Sequence, residues 1–312
     1  MPQLILKIDV DTLRGTREGV PNLVKILQRH EANATFLFSL GPDHTGWALR
    51  RAFRPGFFQK VSRTSVIEHY GFKTLMYGVL LPAPDIGKLC ASELRAVQGA
   101  GFECGIHTWD HVVWQDHVRS QDAAWTQSLM QQSLQRYSAI FGSAPKTHGA
   151  AGWQMNAHAF AQLDVFGMRY ASDGRAALAD DGSLLDPTAG PHRLTAFGKT
   201  LSCVQMPTTL PTLDELLGRT INGAVITTSN IAATLLSLTA APRDHVYTLH
   251  AELEGQKLAP VFEQLLSGWK AQGYDLVAMA DYYPTIALDT LPVTPIQWGT
   301  LPGRSGELLI AA

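Results

Sequence analysis

Short apolar runs alternate with longer segments of helical periodicity along most of the chain. Residues 4–8 form a compact run typical of a buried strand, and residues 20–30 follow with apolar side chains at helical spacing. Further strands are predicted at 34–39, 101–106, 170–172, 204–206, 245–249 and 275–278, and further helices at 122–141 and 259–272. Because strands that are separated by helices pair in parallel, the sequence predicts an α/β sheet or barrel.

Length and composition limit the class of protein. The 312 residues, 46% of them hydrophobic, suffice for one barrel-sized domain or two smaller ones. A formal net charge of −2 leaves no basic excess for phosphates, which argues against a nucleic-acid partner, and no obligate protein partner is inferred. The three cysteines are an odd number and form no Cys-x-x-Cys, as is typical of reduced thiols in a cytosolic protein.

The first residues lack the features of an export signal. No basic region, long apolar run and small-residue cleavage site precede Asp9. The uncharged run over 220–242 is interrupted by Thr, Ser and Asn, so we expect a strand and a soluble helix there instead of a membrane span. The sequence therefore predicts a cytoplasmic protein without a signal peptide or a transmembrane helix.

One segment, residues 43–83, has a different composition and is interpreted as an insertion. Between residues 47 and 81, six basic side chains accompany a single acidic one, a net charge of +5. They alternate with aromatic and leucine residues, a combination typical of a surface in the headgroup layer of an anionic membrane. An ordinary loop that packs its aromatic side chains on the core is an equally good reading. The candidate lipid contacts are Arg50, Arg51, Arg54, Phe57 and Phe58.

Asp9 and Asp11 follow the first predicted strand. Residues two apart in an extended chain point to the same face, so both carboxylates can project from the end of the strand, roughly 6–7 Å apart. In parallel α/β folds active sites form at that edge. One carboxylate could bind a metal while the other reaches a water molecule, although acids at strand ends often only cap a loop or a helix.

Histidines follow two other predicted strands. His107 and His111 are four residues apart, a spacing that on one helical turn would direct both rings at one ion, although it also arises by chance. With Asp11 they would leave a coordination position open, as catalytic sites do. His250 closes another strand, where a lone histidine is more often a core or surface residue. Together, the three strand ends indicate a shared site.

The order of these motifs resembles that of the NodB-homology polysaccharide deacetylases (carbohydrate esterase family four). The resemblance extends from residue 5 to about residue 280 and rests on Asp-x-Asp, His-Thr-x-x-His, a glycine-rich loop and an apolar-Leu-His run. It implies a distorted (β/α) barrel. We expect this barrel to span residues 1–283, with the insertion 43–83 as a candidate membrane-interface segment on the basis of its composition. The end rich in proline and threonine, residues 284–312, is expected to form an irregular tail.

The resemblance also implies roles for particular residues. Asp9 would be the general base, His250 the general acid, and Asp11, His107 and His111 the ligands of a divalent cation. Such a ligand set suits Zn²⁺, Mn²⁺, Co²⁺ or Ni²⁺, and does not distinguish among them.

The family's Arg-Pro-Pro-Tyr-Gly loop corresponds to residues 148–152, His-Gly-Ala-Ala-Gly. Gly152 is retained, but His148 stands where the family has the arginine that orients the base. Either His148 takes over that function or the base is tethered differently. The resemblance further implies that the backbone N–H of Ala151 stabilises an oxyanion, and that Asp173 corresponds to a later family aspartate.

Within the family, residues 7–15, 107–113 and 147–154 are most similar to members that deformylate 4-deoxy-4-formamido-L-arabinose carried by undecaprenyl phosphate. This implies an undecaprenyl-linked sugar substrate, release of formate for lipid A modification and polymyxin resistance, and peripheral association with the anionic inner-membrane surface. Two alternatives remain open: deacetylation of a soluble N-acetylated oligosaccharide, and a non-catalytic barrel that binds a glycolipid.

Overall fold

A computed structural model of the protein describes residues 1–48, 71–176, 189–221, 223–301 and 306–312. At its centre is a curled sheet of eight parallel strands. These strands are β1 (Gln3–Val10), β2 (Thr35–Ser39), β3 (Glu103–Thr108), β4 (Thr147–His148), β5 (Tyr170–Ala171), β8 (Val204–Gln205), β11 (His245–His250) and β12 (Asp275–Val277). Their order is β11-β1-β2-β3-β4-β5-β8, and β12 pairs with the first residues of β1. The predicted α/β fold with parallel strands is confirmed.

The two edges of this sheet approach each other just beyond β8. The N–H of Thr209 donates to the carbonyl of Val246 in β11 at 2.9 Å, and the Val246 N–H donates to Oγ1 of Thr209 at 3.0 Å. These bonds join the edges without a regular ladder, so the sheet closes as a distorted barrel.

Helices cover the outside of the barrel. In chain order they are α1 (Val20–Arg29), α2 (Ile86–Leu89), α3 (Ala91–Gly99), α4 (His111–His117), α5 (Ala123–Phe141), α6 (Ala157–Val165), α7 (Leu213–Leu216), α8 (Ile231–Leu238), α9 (Ala259–Ala271) and α10 (Met279–Tyr282). Side-chain caps begin several of them: the carboxylate of Asp122 accepts the Trp125 N–H at 2.9 Å at the start of α5. The three predicted helices agree with α1, α5 and α9 to within one residue at each end.

The end of the chain is more regular than the sequence predicts. Strands β13 (Val293–Thr300) and β14 (Glu307–Ala311) form an antiparallel pair. β13 also pairs with β6 (Arg193–Ala196), which in turn pairs with β7 (Lys199–Thr200). The expectation of an irregular tail over 284–312 is therefore wrong for these two strands. Pro295, which has no N–H for a ladder bond, hides the strand pattern in the sequence.

Strands β9 (Thr220–Ile221) and β10 (Ala224–Val225) form a separate two-stranded sheet, followed by α8. This agrees with the strand and the helix expected over 220–242. Across the described ranges, no helix has both the length and the apolar composition needed to cross a bilayer. The division into a barrel over 1–283 and a tail stays a prediction.

Packing of α9 on the sheet illustrates how the core holds the strand that ends at His250. Trp269 of α9 is fully buried, and its ring lies 5.1 Å from that of Tyr247 in β11. Burial of one such side chain contributes about 1.5–3 kcal/mol.

Of the insertion, residues 43–48 and 71–83 are described. The candidate lipid contacts Arg50, Arg51, Arg54, Phe57 and Phe58 lie outside the described residues.

Candidate active site

The barrel brings the predicted site residues to one edge of the sheet. In the ladder between β1 and β11, Asp9 is the direct partner of His250. Asp11 follows β1, and His107 is near the end of β3. Because all these strands are parallel, their carboxyl ends meet at the same edge.

Asp11, His107 and His111 form a compact cluster. One potential ligand atom from each residue lies within 4.8 Å of those of the other two. Nε2 of His107 is 3.2 Å from Oδ1 of Asp11, and Nε2 of His111 is 3.4 Å from Oδ2 of Asp11. The three residues that the sequence suggests as metal ligands are therefore close together in space.

His107 and His111 do not share a helical turn. His107 is part of β3, whereas His111 is the first residue of α4. Asp110 lies between them and caps the helix by accepting the Val113 N–H at 3.0 Å. The predicted helical turn is wrong because the chain changes from strand to helix within the motif. The two rings nevertheless converge, with centroids 5.3 Å apart.

The orientation of His107 suits a cation. Its Nδ1 donates to the Gly149 carbonyl at 2.6 Å, so a neutral ring directs the lone pair of Nε2 at Asp11. Among the described residues, neither Nε2 of His107 nor Oδ1 of Asp11 has a hydrogen-bond partner, although both are buried. Burial favours a high pKa for Asp11, but neighbouring charges, that of His111 foremost, together outweigh it and hold the pKa well below its usual range. Two imidazoles and one carboxylate fit a divalent cation.

The two carboxylate oxygens of Asp9 have different surroundings: one lies beside a cationic side chain, and the other is open, that is, without a hydrogen-bond donor among the described residues. Its Oδ2 lies 3.2 Å from Nζ of Lys7. Its buried Oδ1 lies 3.7 Å from Nδ1 of His107 and accepts no hydrogen bond from the described residues. Lys7 is absent from the predicted site. The signal in the sequence is a lysine within an apolar strand, two residues before Asp9 and thus on the same face.

His250 lies beside Asp9 and faces several carboxylates. Its Nδ1 is 3.9 Å from Oδ1 of Asp214. Burial lowers the pKa of His250. The carboxylates of Asp214, Asp11 and Asp9 outweigh that effect and raise the pKa to about 9. At neutral pH the ring is protonated and can donate a proton. Asp214 was also missed in the sequence, where no motif marks it.

His148 pairs with Asp173. Its Nδ1 donates to Oδ1 of Asp173 at 2.7 Å, and the N–H of Ala150 donates to the same oxygen at 2.8 Å. Burial favours a raised pKa for Asp173, but His148 and Gln205 keep it below its usual range. This pair anchors the start of the loop that carries Ala151.

The far end of that loop packs on the helix of His111. A Cβ at Gly152 would lie 2.4 Å from Nε2 of Gln115 in α4, so the Gln115 side chain packs directly against the backbone of Gly152. Ala151, just before it, is fully buried. The loop is therefore held between the His148–Asp173 pair on one side and α4 on the other.

Two buried glutamates after β11 hold the ends of β1 and β11. Oε1 of Glu252 accepts the Asp11 N–H at 3.1 Å, the Thr12 N–H at 2.9 Å and the Thr12 hydroxyl at 2.8 Å. Glu254 accepts the His250 N–H at 3.0 Å. Burial raises the pKa of Glu252 to about 8, with a further contribution from Asp11, and that of Glu254 to about 7. The sequence analysis missed both, although they follow His250 as Ala-Glu-Leu-Glu.

Comparison with known proteins identifies the family. No family model matches the chain. It is 36% identical over 303 residues to a protein of Shewanella sediminis named 4-deoxy-4-formamido-L-arabinose-phosphoundecaprenol deformylase ArnD, an alignment that covers 97% of this chain and 92% of that protein. The chain belongs to this deformylase family. A protein of Wigglesworthia glossinidia brevipalpis with the same name is 29% identical over 298 residues, or 94% of this chain and 96% of its own. The prediction of an amidohydrolase is confirmed.

Solved structures support the fold. A polysaccharide deacetylase from Mycobacterium smegmatis superimposes with a TM-score of 0.62 at 14% identity, over 96% of this chain and 94% of its own. PuuE allantoinase gives a TM-score of 0.56 at 11% identity, over 90% and 89%. Likeness at such identities shows the fold alone. It confirms the distorted (β/α) barrel of the NodB-homology deacetylase type.

Proposed function

We propose that this chain hydrolyses the formamide of 4-deoxy-4-formamido-L-arabinose linked to undecaprenyl phosphate, giving the amino sugar and formate. The observation that carries the proposal is the strand register that sets Asp9 beside His250, next to the cluster that contains Asp11. The substrate is inferred from the name of a relative 36% identical to the chain.

Asp11, His107 and His111 are the proposed ligands of a divalent cation, which we infer to be Zn²⁺, Mn²⁺, Co²⁺ or Ni²⁺. Such a cation supplies a Lewis acid that polarises the amide carbonyl and lowers the pKa of water. The Gly149 carbonyl orients the His107 ring, and Glu252 holds the backbone of Asp11. Supporting contacts of this kind keep ligands in place in metal sites.

Asp9 and His250 move the protons. The open Oδ1 of Asp9 accepts a proton from the attacking water as the new C–O bond forms. His250, protonated at neutral pH, gives its proton to the amide nitrogen as the C–N bond breaks. Because the two groups sit on neighbouring strands, base and acid can reach the same carbonyl group.

Negative charge develops on the carbonyl oxygen during the attack. We propose that the backbone N–H of Ala151 donates to that oxygen, on the loop that His148 and Asp173 anchor. One such donor contributes about 3–4 kcal/mol to stabilising the transition state.

The charge of the product gives a reason for the reaction. Hydrolysis converts a neutral formamide into an amine that is protonated at neutral pH. Attached to lipid A, the amino sugar would reduce the negative surface charge that attracts polymyxin.

We also propose peripheral association of this cytoplasmic enzyme with the anionic inner-membrane surface, because an undecaprenyl chain stays in the bilayer. Residues 47–81 carry a net charge of +5. In the described end of this segment Phe72, Val79 and Leu80 are 68%, 52% and 77% exposed. Large exposed apolar side chains beside basic residues suit the headgroup layer.

Formate release from the undecaprenyl-phosphate-linked formamido sugar, with added divalent cation, tests the proposed function. The wild-type protein should release formate, and Asp9→Asn and His250→Ala should each abolish most turnover while binding the cation. Release of acetate from N-acetylated oligosaccharides, without formate from the lipid-linked sugar, would favour the deacetylase alternative. Sugar-lipid binding without turnover would favour a non-catalytic barrel.

A further inference from the structure

Lys7 is a cationic side chain in the interior of the barrel. It lies in β1, two residues before Asp9, so both side chains project from the same face of the strand. The residue is fully buried. An ammonium group at such a position is strongly unfavourable unless a carboxylate compensates its charge. The groups around Lys7 must therefore stabilise its buried positive charge.

Three groups enclose the ammonium. Nζ lies 3.2 Å from Oδ2 of Asp9 and donates to the Ser172 carbonyl at 3.1 Å. It also lies 5.1 Å from the centroid of the Trp153 ring, within the range of a cation–π contact. An ammonium has three N–H donors, and a carboxylate, a carbonyl and an aromatic face surround it here. The position of Nζ is thereby fixed from several sides.

Gly149 makes room for this arrangement. A Cβ at this position would lie 2.8 Å from Cε of Lys7 and 2.4 Å from Cδ1 of Leu37. The carbonyl of the same glycine accepts the hydrogen bond from His107. One backbone segment thus packs against the lysine and orients a proposed metal ligand.

We propose that Lys7 is the residue that positions Asp9 for proton transfer. By holding Oδ2, it leaves Oδ1 as the oxygen available to accept a proton. His148, the other candidate for this task, is bonded to Asp173 instead. Lys7 touches neither substrate nor cation in this assignment, so it acts through Asp9. The inference rests on the proposed function, in which Asp9 is the base.

A double-mutant cycle with Lys7→Met and Asp9→Asn tests this inference. Lys7→Met should lower kcat about 10–100-fold with KM changed by less than about threefold, as for other supporting contacts. In the Asp9→Asn background the same Lys7→Met change should cost no further kcat, because the group that Lys7 positions is already lost. Lys7→Arg, which restores a cation, should recover most of the lost kcat.

Two measurements keep folding separate from positioning. Removing both charges leaves no uncompensated buried ion, so the double variant should melt above Lys7→Met alone. Calorimetric titration of Zn²⁺ into the metal-free proteins should give the same affinity for Lys7→Met and wild type. Lys88→Met is the matched control, since its ammonium lies 3.7 Å from Asp85 on a side chain that is 73% exposed.

Each outcome has a distinct meaning. Wild-type kcat in Lys7→Met, or an equal loss in the Asp9→Asn background, would overturn the positioning role while leaving the proposed function intact. A wild-type enzyme that releases no formate would overturn both proposals at once.

Discussion

Nε2 of His107 and Oδ1 of Asp11 face each other at 3.2 Å, each buried and without a hydrogen-bond partner in the described structure. Both atoms are lone-pair acceptors, so their close approach is unfavourable on its own. A cation bound between them would remove this repulsion and should therefore stabilise the fold. At 100 times its Kd the gain is about 2.7 kcal/mol. We expect Zn²⁺ or Mn²⁺ to raise Tm in calorimetry, a chelator to reverse the rise, and Asp11→Asn to abolish it. His117→Ala, at the exposed end of α4, should keep the full effect.

Asp214 should set the alkaline limb of the pH profile. Burial lowers the pKa of His250, and nearby carboxylates raise it to about 9. Since a bound cation offsets the charges near Asp11, Asp214 becomes the main group that keeps the ring protonated. Asp214→Asn should lower the pKa of His250 and move the alkaline limb of kcat to lower pH, while the acidic limb stays in place. An unmoved alkaline limb would show that His250 is not the acid or that Asp214 does not act on it.

Glu252 should control cation affinity without binding the ion. Its Oε1 accepts three hydrogen bonds from the backbone and side chain at Asp11 and Thr12. Glu252→Leu leaves these donors unsatisfied and loosens Asp11, so cation affinity should fall about 10–100-fold in titration calorimetry. Glu252→Gln keeps one carbonyl oxygen and should lose less. Equal affinities in the two variants would contradict this role.

Gly149→Ala should impair both turnover and stability. The new Cβ would lie 2.4 Å from Leu37 and 2.8 Å from Lys7, so two buried side chains must shift. Overpacking of this kind costs about 1–3 kcal/mol in the free energy of unfolding. Denaturant unfolding and formate release measure the two effects. Gly99→Ala in α3 is the control, because its Cβ would meet no atom within 4 Å; a comparable loss there would refute the steric argument.

Membrane association should depend on the basic segment. Replacing Arg50, Arg51 and Arg54 with Gln removes three of the positive charges between residues 47 and 81. Each basic residue near an anionic surface contributes about 1 kcal/mol, so cosedimentation with phosphatidylglycerol vesicles should weaken markedly. Neutral phosphatidylcholine vesicles provide the baseline. If the triple variant binds anionic vesicles as well as wild type, the segment does not serve as a lipid contact.

Much of the fold and the centre of the site are readable from the sequence. The alternation of apolar runs and helical periodicity predicts the parallel sheet, because it reports which face of each element is buried. Asp9, Asp11, His107 and His250 are recognisable since each sits at or beside the end of a strand. Parallel strands place such ends at one edge whatever the details of the loops.

Other features depend on tertiary contacts that no local pattern records. Strands β4 and β5 have two residues each, too few to show any periodicity. Lys7 appears in the sequence as an exception within an apolar strand, and its meaning requires the positions of Ser172 and Trp153, which follow at least 146 residues later. Asp214 lies in α7, 36 residues before His250 in the sequence, and only the fold brings its carboxylate within 3.9 Å of that ring.

The pairing of β1 with β11 has a consequence for synthesis on the ribosome. The base at residue 9 and the acid at residue 250 become neighbours only in this ladder, so four-fifths of the polypeptide must emerge before the pair can exist. Until then β1 lacks two of its three hydrogen-bonded neighbours, β11 and β12, and presents an open edge, which is a known route to misassembly. A nascent chain that stalls before residue 245 is therefore both inactive and prone to aggregate.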